Sequence, residues 1–248
     1  MDARRVVMAL DKLNIEGRED EGARLLEKWR DEAKCEHDEK SELTIVSEML
    51  GQYRRTGEKE KGLLACRDAV DMVYAMSYES TATGATILVN AATTLKAFGK
   101  TDESFNLFKK CEKVYEKTLT PDDYRFSALY NNMALTYADL GDFGGASEYF
   151  FKALESLEKI DNSDCDRACT WCNLAELYDN FSEDEEKINE FMENAFSCLT
   201  EKNTKKDSYL AYTIDRCLPT FDYFGFFLYS RKLREIRSLL DGDKNDIS

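Results

Sequence analysis

Residues 127–157 read SALYNNMALTYADLGDFGGASEYFFKALESL. Tyr130, Met133, Ala134 and Tyr137 recur at intervals of three and four, the spacing that gathers side chains on one face of an α-helix. Gly141-Asp142 then interrupts the pattern, and Phe143, Ala146, Phe150 and Ala153 resume it. The stretch therefore reads as a helix, a tight turn and a second helix with facing apolar stripes.

The same punctuation recurs along the chain. Turn residues fall at Gly17, Gly57, Gly99, Gly141, Ser182 and Gly225, separated by 40, 42, 42, 41 and 43 residues. Four residues before each lies a leucine or a ring: Leu13, Tyr53, Leu95, Tyr137, Tyr178 and Phe221. One helical turn ahead of a break, such a side chain can plug the space between the two helices of a hairpin. Seven before the turn sit Leu10, Leu50, Ala92, Ala134, Ala175 and Leu218, and five after it Gly22, Gly62, Ser104, Ala146 and Ser230. Small residues let helices approach closely. Around Ser182 one extra residue is needed to bring Ile188 to the corresponding place, so that turn is expected to be one residue longer.

The copy at 127–157 resembles the tetratricopeptide repeat consensus almost position by position. The copy Arg167–Leu199 adds Trp171, Leu174, Ala175, Tyr178, Met192 and Ala195, including the tryptophan that family favours. Copies at Gly57 and Gly99 match more loosely, and the first and last diverge as end caps of a repeat array do. The resemblance implies an all-α, right-handed α-solenoid of about six helix–turn–helix repeats, over residues 2–38, 41–78, 83–119, 121–161, 164–201 and 207–240. A single array over 1–240 is expected, with 241–248 as a disordered tail. Thr120-Pro121-Asp122-Asp123 predicts a helix start, and Ser182 with Glu185 predicts a capping box. The last helix, near Tyr229–Leu240, reads as an amphipathic cap with Arg231, Lys232, Arg234 and Arg237 on its polar face.

Composition agrees with long helices, since the 248 residues include only 2 prolines and 12 glycines. No apolar run is long enough to span a membrane, and Met1–Leu13 lacks a signal-peptide pattern. Eight scattered cysteines suit free thiols in a reducing compartment, so a cytoplasmic location is expected. A formal charge of −15 disfavours nucleic acid and anionic membranes. Residues 139–201 hold 17 acidic side chains against Lys152, Lys159, Arg167 and Lys187, a net of −13.

Catalytic chemistry has little to work with. His37 is the only histidine, beside Glu36 and Asp38, and reads as a solvated surface residue. Phosphate-cradling glycine loops, HExxH and EF-hand motifs are absent from the sequence, so neither an enzyme nor a cofactor is expected. Cys165, Cys169 and Cys172, at i, i+4 and i+7, offer a weak soft-metal or redox candidate, against the commoner reading of cysteine as a small core residue.

The stronger candidates lie on the first helix of each hairpin, which in the resembling solenoids lines the concave face. Nine residues before the turn stand Asn90, Asn132 and Asn173. An asparagine amide both donates and accepts, so a row of them can hold the backbone of an extended peptide, or it can bridge neighbouring repeats. Ten before the turn lie Ser47, Val89, Asn131, Cys172 and Asp215; six before lie Thr93, Leu135 and Glu176; three before lie Arg54, Lys96, Ala138, Asp179 and Asp222. These rows run from basic to acidic. If they face a ligand, the acidic end (Asp139, Glu176, Asp179, Asp215, Asp222) should prefer a lysine- or arginine-rich segment of a protein or peptide partner; otherwise they form a solvated face. The aromatic run Phe221 to Tyr229 offers an alternative, a scaffold that self-associates as a homo-oligomer.

Overall fold

A computed structural model describes residues 3–182, 184–201 and 204–242. Among the described residues there are twelve α-helices and no strand, and the chain divides into two compact units, Met1–Thr120 and Pro121–Ser248. The N-terminal unit contains α1 (Ala3–Ile15), α2 (Glu19–Cys35), α3 (Glu39–Thr56), α4 (Lys59–Ala75), α5 (Ala82–Ala97) and α6 (Thr101–Thr118). The C-terminal unit contains α7 (Arg125–Asp139), α8 (Phe143–Leu157), α9 (Asp164–Phe181), α10 (Glu185–Thr200), α11 (Ser208–Tyr223) and α12 (Phe227–Gly242). In both, consecutive helices pair as hairpins, and the first helix of each hairpin packs on the first helix of the next, the arrangement of an α-solenoid.

The turn residues read from sequence are the hinges of these hairpins. Gly17, Gly57, Gly99, Gly141 and Gly225 all have φ between 69° and 80°, a left-handed conformation that glycine adopts without a Cβ penalty. At Gly141 the next amide, from Asp142, donates to the Tyr137 carbonyl at 2.9 Å, and the Gly141 amide donates to Ala138 at 3.0 Å. Arg18 to Leu13, Glu58 to Tyr53, Lys100 to Leu95 and Phe226 to Phe221 repeat the first of these bonds. The bulky residue four before each glycine is thus the one whose carbonyl closes the helix. Tyr137 lies over Gly145, where an added Cβ would meet its ring at 2.5 Å. Asp142 then caps α8 by accepting from the Gly145 amide at 2.9 Å.

Small residues sit where the helices cross. Ala92, Ala134, Ala146, Ala175, Ser104 and Ser230 are wholly buried, and Ile188 takes the corresponding place after the longer turn. That turn is one residue longer, as expected: α10 begins three residues after Ser182, whereas the helices after the glycines begin two after them. The core of the C-terminal unit is filled by Phe150, Phe191, Phe221 and Met192, each at most 1% exposed. Burying one such side chain contributes roughly 1.5–3 kcal/mol, which offsets the chain entropy of ordering the hairpin.

Three local expectations are corrected. Thr120-Pro121 does not open a helix: residues 121–124 form a turn and α7 starts at Arg125, because Asp123 accepts from the Arg125 amide at 3.0 Å and clamps its guanidinium at 2.6 Å. The capping side chain of α10 is Asp184, accepting from Lys187, while Ser182 closes α9 by donating to the Tyr178 carbonyl at 3.0 Å. The helix expected near Tyr229–Leu240 spans Phe227–Gly242, and its outer face is less polar than expected, with Phe227, Leu228 and Leu239 exposed. From residue 243 on, the expected tail lies outside the described residues.

Candidate functional site

The candidate positions fall on the first helices, as their offsets require, but in the N-terminal unit they are tied into the array. The Asn90 amide donates to Ser47 Oγ across α5 and α3 at 3.2 Å. Arg54 donates to the Asn90 carbonyl at 3.2 Å and to Thr94 Oγ1 at 2.8 Å. Its partners are uncharged, and burial pulls the guanidinium below its usual range. Val89 is core and Lys96 is half-buried near the end of α5.

In the C-terminal unit the first helices α7, α9 and α11 enclose a cavity of ≈ 340 Å³. Asn131, Asn132 and Asn173 all line it. Asn173 Nδ2 donates to Asn131 Oδ1 at 3.1 Å, a bond between consecutive repeats, and Asn132 Nδ2 donates to the Ala128 carbonyl of its own helix at 2.8 Å. Each amide group offers two donors and a carbonyl, so these bonds leave Asn132 and Asn173 capacity toward the cavity. Exposed Tyr124, Tyr209 and Tyr212 form its rim. A second hollow of ≈ 430 Å³ lies farther along α9 and α11, lined by Glu176, Asp179, Thr220 and Tyr223.

The acidic candidates already have partners from the next helix. Thr220 donates to Glu176 at 2.7 Å and the Tyr223 hydroxyl to Asp179 at 2.9 Å, each 44 positions apart in sequence. Arg237 and Arg234 of α12 pair with Asp215 at 2.8 Å and Asp222 at 2.6 Å. The neighbouring Ser230 hydroxyl and the Arg234 guanidinium hold the Asp222 carboxyl below the usual range. Asp139 is exposed at the end of α7 and does not line the cavity.

The three cysteines of α9 are not gathered into one ligand set. Rise along a helix spreads positions i to i+7 over about 10 Å, so the thiols cannot converge unaided. Cys165 and Cys172 are buried in the core, and burial pushes the Cys165 thiol up to about 11. Cys169 is hydrogen-bonded to Cys217 of α11, a contact that together with burial raises its thiol too. Among the described residues no three His, Cys, Asp or Glu side chains are placed to hold a metal ion. His37 is exposed in the turn between α2 and α3, at φ 55°.

One cavity residue was missed by the row of asparagines. Arg216 of α11 stands nine residues before Gly225, the offset of Asn90, Asn132 and Asn173 from their own turns. Extending that row into the last repeat finds it. It lines the cavity, with its guanidinium carbon 5.9 Å from the centre of the Tyr212 ring.

The tetratricopeptide repeat model matches residues 85–159, covering the copies around Gly99 and Gly141; the copy around Ser182, with its longer turn, lies outside that match. No curated protein sequence matches the chain. Among solved structures, BtubC (BKLC) from P. vanneervenii is 15% identical, with 99% of this chain and 93% of that one covered at a TM-score of 0.59. A Podosopora anserina protein of nearly identical TPR-like repeats is 14% identical over 80% of this chain and 94% of that one, at a TM-score of 0.58. At such identities the likeness shows the fold, an α-solenoid of tetratricopeptide-like hairpins, and the family match places tetratricopeptide repeats at residues 85–159.

Proposed function

We propose that the C-terminal unit binds a partner protein by holding an extended segment of it along α7, α9 and α11. The observation that carries this reading is the convergence of the Asn131, Asn132 and Asn173 amides in one tyrosine-rimmed cavity. Amides of this kind can pair with peptide backbone whatever its side chains, and half-exposed tyrosines supply contact area at low entropic cost. The net of −13 over residues 139–201 adds a long-range pull on partners with a basic segment, so binding should weaken with salt. Free thiols at all eight cysteines suit a reducing compartment such as the cytoplasm. No described helix is long and apolar enough to cross a membrane. The reading assigns no catalysis and no cofactor.

The test is selection of peptides from a displayed random library on the intact chain, followed by Asn132→Ala and Asn173→Ala. Weaker binding of the selected peptides with unchanged helicity is expected. Unchanged affinity in both variants would place the contact elsewhere and refute the groove.

A self-associating scaffold is the second reading, favoured by Tyr223, Phe227, Leu228 and Leu239, which are each between 66% and 72% exposed near and along α12. Light scattering over a concentration series separates the two, since the groove reading needs only a monomer.

A further inference from the structure

We propose that the outer face of α12 pairs with α12 of a second copy of this chain in a two-fold, antiparallel contact that stops at two copies. This rests on the self-association reading above and adds the face, the register and the number of copies.

Leu228, Lys232, Glu235 and Leu239 follow one another on α12 at intervals of four, three and four. At 3.6 residues per turn they share a single stripe about 60° wide. All four are exposed, the two leucines at 72% each. Leu233, Ile236 and Leu240 pack on the core of the C-terminal unit, so the stripe is separate from the face that holds α12 in the fold. A four-three-four spacing is that of a coiled-coil seam, in which facing side chains interlock layer by layer.

The stripe is its own complement when two copies run antiparallel. About a two-fold axis between positions 233 and 234, Leu228 faces the partner's Leu239 and Lys232 faces the partner's Glu235, because the members of each pair are equally far from the axis. A parallel pair would instead set lysine against lysine and glutamate against glutamate. The two charged layers at the centre thus fix direction and register, while the two leucine layers on either side bury apolar surface.

Charge selects the same helix. A chain carrying −15 repels its own copies over most of its surface, whereas Phe227–Leu240 holds Arg231, Lys232, Arg234 and Arg237 against Glu235. Arg234 and Arg237 are paired with Asp222 and Asp215, and Arg231 lies 3.9 Å from Glu235. Among the described residues no carboxylate pairs with Lys232, so the partner's Glu235 completes it. The contact uses no residue of the cavity between α7, α9 and α11. A seam this short makes a weak, concentration-dependent dimer.

The experiment is sedimentation of the intact chain over a concentration series, with circular dichroism as a check on folding. Wild type is compared with Leu228→Ser, Lys232→Glu, Glu235→Lys, the Lys232→Glu, Glu235→Lys double variant, and an equimolar mixture of the two single charge variants. The wild-type mass should rise with concentration and level at two copies. Each single charge change should weaken the dimer about tenfold, because the two-fold axis turns two attractive pairs into repulsive ones at once. The double variant should restore it, the mixture should form a mixed dimer, and Leu228→Ser should weaken it as well. Association that ignores these changes, that the double variant and the mixture fail to rescue, or that grows beyond two copies overturns this inference and leaves self-association standing. A single-copy mass at every concentration overturns both and leaves the groove reading untouched.

Discussion

The bond between Asn173 and Asn131 decides how much of the polar row holds the array together. Replacing Asn173 by alanine removes the 3.1 Å hydrogen bond and leaves Asn131 Oδ1 half-buried beside the cavity. Water can reach that oxygen through the cavity, so the desolvation penalty of a fully buried orphan does not apply. The loss should sit near the ordinary net value of one intramolecular hydrogen bond, about 0.5–1.5 kcal/mol. With a urea dependence of roughly 1–3 kcal/mol per molar for a domain of this size, the unfolding midpoint of the C-terminal unit should fall by about 0.2–1.5 M. Asn131→Ala should cost a similar amount, and the double variant little more than either single one, because each single change already breaks the shared bond. Circular dichroism in urea on all four proteins measures the coupling. Additive losses would mean that the two side chains do not interact across α7 and α9. Asn132→Ala is the internal contrast: its amide bonds within its own helix, so it should cost stability without coupling to Asn173.

Other outcomes follow from the same geometry. Phe150→Ala empties a wholly buried site between α8 and its neighbours and should lower the stability of the C-terminal unit by about 3–5 kcal/mol in urea unfolding. A thiol reagent at neutral pH should label exposed Cys35 quickly in the native protein, whereas Cys66 and Cys111, pushed up to about 12 by burial, should react only on unfolding; mass spectrometry of the labelled peptides checks it. Asp123 and Asp207 are held below the ordinary carboxylate value of 3.8 by Arg125 and Lys205 respectively. A depressed folded pKa contributes stability that is fully present above the unfolded value and is lost as pH falls through the folded one. The urea midpoint should therefore drop more steeply below about pH 4 in the wild type than in the Asp123→Asn, Asp207→Asn double variant.

Hairpin architecture was legible because its determinants are local. A glycine in the left-handed region, a bulky residue one turn earlier and small residues at the crossings are each fixed by backbone geometry within a dozen positions. Such constraints recur wherever the hairpin recurs, so Gly17, Gly57, Gly99, Gly141 and Gly225 could be found by spacing alone. Even the longer turn at Ser182 announced itself through the displaced Ile188. The helix starts at Arg125 and Glu185 were misplaced because several side chains in a row could cap. The winner was Asp123 or Asp184, chosen by which oxygen reaches a free amide, a distance that residue preference does not encode.

The groove was legible as a set of positions but not as a charge pattern. Reading Glu176, Asp179, Asp215 and Asp222 as an acidic wall treats each carboxylate by itself, whereas in the fold each meets a donor about one repeat or one helix onward: Thr220, Tyr223, Arg237 and Arg234. A repeat protein stacks near-equivalent positions side by side, so polar residues at offsets one apart are partners for one another before they are partners for a ligand. The same stacking makes the exception informative. Where a row ends on a residue whose neighbour cannot complete it, its bonding capacity is directed into the groove. Arg216 succeeds two asparagines and, among the described residues, forms no ion pair with a carboxylate, so recognition is better sought at the position that breaks the ladder than at those that build it.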